Sequence, residues 1–117
     1  MLPIPRHAVL LLIALIASGC TSAPAARSDG AQAIEGTIRS IDTAPWAYDG
    51  NAVVEVDTAT HGRVAVQLPA RWNLCDARTV DVEALAVGMR VRAVGAMGAG
   101  GALTVCEDAS HHLMPAD

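Results

Sequence analysis

The sequence predicts an all-β domain, a small closed barrel of five strands with a short helical insert between the third and fourth. Three observations lead there. Apolar and polar residues alternate with period two in four separate stretches. Turn-forming residues separate those stretches. Closing the strands into a barrel removes the exposed edges that an open antiparallel sheet would leave.

The first stretch sets Ile34, Gly36 and Ile38 against Glu35, Thr37 and Arg39, the pattern of a half-buried strand. Thr43 to Asn51 carries Pro45 and Asp49-Gly50 and reads as a loop. In the second strand Val54 and Val56 alternate with Glu55 and Asp57, and Thr58-Ala59-Thr60-His61-Gly62 connects it to the next as a hairpin. Val64, Val66 and Leu68 form the apolar phase of the third strand. Pro69, which lacks a backbone donor, ends it. From Pro69 to Val87 the alternation is lost, and a helical turn is predicted around Val82-Glu83-Ala84-Leu85. The alternation returns with Met89, Val91 and Ala93 against Arg90 and Arg92. Gly95 to Gly101 reads as a glycine-rich turn, and Leu103 and Val105 begin the last strand. This order, with the phrase Leu85-Ala86-Val87-Gly88-Met89-Arg90-Val91-Arg92-Ala93-Val94-Gly95, resembles an OB-fold over about residues 33–109. A β-sandwich or an open five-stranded meander is the alternative.

Ahead of the domain, Arg6 is followed by the apolar run from Ala8 to Ala17, which is shorter than the roughly 20 residues of a membrane-spanning helix. The run ends in Ala17-Ser18-Gly19-Cys20. That ending resembles the lipobox of bacterial lipoproteins, with Ala17 where the family prefers Leu, Val or Ile. The resemblance implies that residues 1–19 are a signal peptide and that Cys20 becomes the first mature residue. Cys20 would then carry a thioether-linked diacylglycerol and an N-terminal acyl chain, and several chains together give stable anchoring. Thr21 rather than Asp follows Cys20, which in a Gram-negative source implies the periplasmic face of the outer membrane. Residues 20–32 are small and polar, a flexible tether whose dozen residues would reach about 40 Å when extended. Residues 110–117 read as a solvated tail.

The chain of 117 residues has room for one domain, and its three aromatic residues, Trp46, Tyr48 and Trp72, leave aliphatic side chains to fill the interior. All 8 basic residues are arginine, and they face 12 acidic ones. Without Arg6 the mature chain has 7 against 12, a net charge of −5. Nucleic acid and anionic lipid surfaces select for basic patches, so neither is an expected partner of the domain. With Cys20 assigned to lipid, Cys75 and Cys106 remain as an even pair in an oxidising compartment and are expected to form a structural disulfide. The other reading of that pair, a redox or metal dithiol, lacks the Cys-x-x-Cys spacing that depresses a thiol pKa.

Candidate ligand-binding residues are Trp46 and Tyr48 in the first loop with Gly98 and Gly100 in the glycine-rich turn, segments that flank the binding face of an OB-fold. Exposed rings there would stack on a sugar or peptide, whereas a Trp46 folded inward would cap the aliphatic core. Trp72 is read as a packing residue. The adjacent His111 and His112 follow Cys106, Glu107 and Asp108 without metal-ligand spacing, and are read as part of the tail. No catalytic motif, metal site or cofactor site stands out, so an enzyme is not expected. Three functions compete. The first is a binding module for an envelope protein, peptide or glycan. The second is a structural accessory of an envelope assembly. The third is a metal or redox role through the cysteines and histidines.

Overall fold

The computed structural model of the chain describes residues 31–116. Cys20, the leader 1–19 and the tether up to residue 30 lie outside the described residues. The strands are β1 (Ala31–Asp42), β2 (Ala52–Thr58), β3 (Gly62–Leu68), β4 (Arg90–Met97), β5 (Ala102–Thr104) and β6 (His112–Pro115). Strands β1 to β5 close a barrel in the order β1-β2-β3-β5-β4, with β4 returning to pair with β1. All pairings are antiparallel except β3 with β5, where Ala65 lies beside Ala102.

One long strand makes closure possible. The first part of β1 pairs with β4 (Ala31 with Ala96 to Thr37 with Arg90), and the second part pairs with β2. A bulge between Ile38 and Ser40 shifts the register, and such a bulge bends a strand and increases its twist. Gly36 sits where β1 serves both neighbours, and a Cβ there would run into the Asp57 carbonyl. Only glycine admits so close an approach of two backbones.

The period-two pattern is the inward phase of the barrel. Ile34, Ile38, Val54, Val56, Val64, Val66, Leu68, Val91, Ala93 and Leu103 are all buried. Among the described residues no Trp or Tyr ring is fully buried, so the hydrophobic core is aliphatic. The outward phase of β1 to β3 carries charge, with Asp57 paired to Arg39 at 3.7 Å and to Arg63 at 3.3 Å.

The insert departs from regular structure without leaving the core. Two short 3-10 turns, Trp72–Leu74 and Val82–Ala84, replace any α-helix among the described residues, and the second falls where a helical turn was predicted. Ala77, Val80 and Leu85 from the insert join the hydrophobic core. The insert returns to β1 through Gly88 N–H to Ile38 O at 2.8 Å and Ile38 N–H to Met89 O at 2.9 Å.

Three boundaries differ from the sequence expectation. Ala31 and Gln32, read as tether, begin β1 because β4 extends to Met97 and supplies partners for them. Gly95, read as part of a turn, therefore lies inside β4. The segment read as a tail forms β6, pairing with β4 from Val91 with Pro115 to Val94 with His112. The short β5 reaches only Ala96 and Met97, and β6 covers the rest of that β4 edge.

Candidate functional site

The first loop forms a 3-10 turn over Ala44–Tyr48, opened by Pro45 and ended by Asp49 in the left-handed conformation at φ 64°. It holds its two rings differently. Trp46 is half-buried against the core, and its indole N–H donates to the Leu68 carbonyl at 2.9 Å, fixing the loop to the end of β3. Tyr48 is 74% exposed. Beside it the Asp49 carboxylate accepts from the Arg71 guanidinium at 2.7 Å, which ties the first loop to the start of the insert. Trp72, next in sequence, packs partly against the core, while Leu74 stands exposed.

The glycine turn lies elsewhere. Gly98 donates its N–H to Ala102 O at 2.8 Å, and Gly100 and Gly101 have φ of 79° and 78°. The turn leads into β5 beside Ala65, toward the start of β3, whereas Trp46 is fixed at Leu68, its end. Trp46 and Tyr48 thus stand at one end of β3 and Gly98 and Gly100 toward the other. The loop that does lie against the first one is the insert, through Arg71.

Cys75 and Cys106 form a disulfide with a Cα–Cα distance of 4.6 Å. Cys106 is a junction in its backbone as well. Its carbonyl accepts the N–H groups of Asp76 at 2.9 Å and Ala77 at 3.0 Å, and its own N–H donates to His111 Nδ1 at 3.3 Å. His111 is only 2% exposed, which corrects its reading as part of a solvated tail. It is carried inward by a tight turn. Asp108 accepts the Ser110 N–H at 2.8 Å and hydroxyl at 2.7 Å, and the Asp108 carbonyl accepts the His111 N–H at 3.0 Å. The Ser110 backbone N–H, then its hydroxyl, hold the Asp108 carboxyl below its usual pKa. His112 remains half-buried on β6, with Nδ1 2.9 Å from Ser110 O.

A groove of about 340 Å³ lies between β6 and the insert. Val80 and Ala84 stand on one side and His111, Leu113 and Met114 on the other, with Arg78 and Asp81 also lining it. It is mostly apolar and of a size that accepts small molecules. Sequence reasoning missed it because its walls come from the two stretches without periodicity. The one available signal was the disulfide, which predicts that the insert lies against the chain following β5.

Among the described residues, no group of three or more His, Cys, Asp or Glu side chains is placed to hold a metal ion. No protein-family model matches the chain, and no curated protein shows significant similarity to it.

Proposed function

We propose that this protein is a lipoprotein anchored through Cys20 to the periplasmic face of the outer membrane, and that its barrel is a non-enzymatic binding module. The observation that carries the anchor is Ala17-Ser18-Gly19-Cys20 directly after the apolar run from Ala8 to Ala17. The Cys75–Cys106 disulfide supports the same address, because such bonds persist in oxidising compartments. The contact surface is the end of the barrel where Tyr48 is exposed beside the Asp49–Arg71 pair, and its partner is an envelope protein, peptide or glycan.

Cys20→Ala should abolish incorporation of labelled palmitate and leave the precursor at full mass. Labelling and membrane partitioning equal to wild type would remove the anchor. The contact surface is tested by crosslinking in intact envelope. Tyr48→Ala should weaken partner capture without lowering Tm, and Trp46→Ala should lower Tm, because it removes a packed ring and its bond to Leu68 O.

A second reading, a structural accessory of an envelope assembly, is favoured by the inward packing of Trp46. It predicts that Tyr48→Ala leaves capture unchanged.

A further inference from the structure

The groove between β6 and the insert has a feature that packing alone does not account for. His111 is one of its walls, and its Nε2 is shut off from solvent with no hydrogen-bond partner. Its Nδ1 accepts the Cys106 N–H, so the neutral ring carries its proton on Nε2. The orphan atom is therefore a donor. A buried donor without an acceptor is costly, and each such group in a native protein calls for an explanation.

We propose that the groove binds a small apolar molecule bearing one oxygen acceptor, a medium-chain carboxylate or its neutral amide, and that His111 Nε2–H donates to that oxygen. Val80, Ala84 and Leu113 supply the apolar wall for the chain. Arg78 lies on the groove and makes no ion pair among the described residues, so its guanidinium favours a carboxylate over the amide. Asp81 lies on the same groove and limits that preference. Reaching Nε2 requires one wall to give. Met114, half-exposed and unbranched with three rotatable bonds, is the side chain suited to it. This inference is independent of the anchor at Cys20 and of the surface around Tyr48.

The test is an NMR titration of the folded, oxidised full-length protein in detergent, followed at the His111 side-chain nitrogens and the Leu113 amide. Octanoate and octanamide should each move Nε2 saturably, octanoate at the lower concentration, while octylammonium, which offers no acceptor, should leave it unmoved. Ala84→Phe, which puts a ring into the groove from an exposed position, should abolish the response with the rest of the spectrum unchanged. His111→Phe keeps a ring and removes the donor, and octanoate affinity should fall about tenfold, the worth of one such bond. The proposal is overturned if Nε2 does not respond up to the micelle-forming concentration of octanoate. An equal response to octylammonium, or a bound water that stays on Nε2–H in saturating octanoate, overturns it as well.

Discussion

The β2–β3 hairpin and the pair formed by the insert and β6 are built on different principles, although both belong to one barrel. In the hairpin Ala52, Val54 and Val56 on β2 and Val64, Val66 and Leu68 on β3 point inward, and its register runs without a shift from Ala52 with Leu68 to Thr58 with Gly62. Each residue repeats the information of its neighbours. The insert holds its place by single devices, namely the disulfide, the hydrogen bonds at Cys106 and Ile38, and the separate apolar anchors Ala77, Val80 and Leu85. Strand β6 adds one four-residue ladder on β4, with Leu113 as its buried side chain. Redundant packing makes a scaffold, and single devices leave gaps between them. The apolar groove lies among those devices.

The largest effect is expected in the barrel. Val66 is fully buried between β2 and β5, so Val66→Asp would place a carboxylate in the aliphatic interior. Loss of folding is expected, read as the absence of a cooperative thermal transition. A protein that still melts cooperatively would show the hairpin to be less constrained than its packing implies.

On the other side, replacing Cys75 and Cys106 together by alanine removes a crosslink spanning 31 residues. The chain-entropy model gives a loss of about 3.5 kcal/mol, before any strain is considered. The barrel should remain folded, with faster amide exchange concentrated in the insert and β6. Uniform loss of protection across β1 to β5 would mean that the two regions form one cooperative unit.

The smallest expected effect concerns the turn that carries His111 inward. Asp108 has a lowered pKa in the folded state because it accepts from Ser110, so its contribution is complete above the unfolded value of about 3.9. That contribution is lost as pH falls through the lowered folded value. The Tm difference between wild type and Asp108→Ala should be constant at neutral pH and shrink in acid. A difference that grows in acid would reverse the sign of the linkage.

Much of the barrel was legible residue by residue. Ile34 and Ile38, Val54 and Val56, Val64 and Val66, and Val91 and Ala93 announce their burial because strand geometry sends alternate side chains to one face. The candidate site was legible only in part. Tyr48 is exposed, and the loop tied to its own is the insert, through Arg71, rather than the turn at Gly98 and Gly100. No local pattern encodes that ion pair, whose partners stand 22 positions apart.

Side-chain period and cysteine count are local or countable properties, and from them five of the six strands, the buried face of each, and the joining of Cys75 with Cys106 could be read. Tertiary structure alone decided that Trp46 turns inward to Leu68, that His111 is buried, and that His112 to Pro115 form a strand. Each of these depends on a partner far along the chain. The indole needs a carbonyl at the end of β3, and β6 needs the stretch of β4 edge that β5 leaves uncovered. Four residues with one inward side chain show no period of their own, and only the unpaired backbone of β4 makes them a strand.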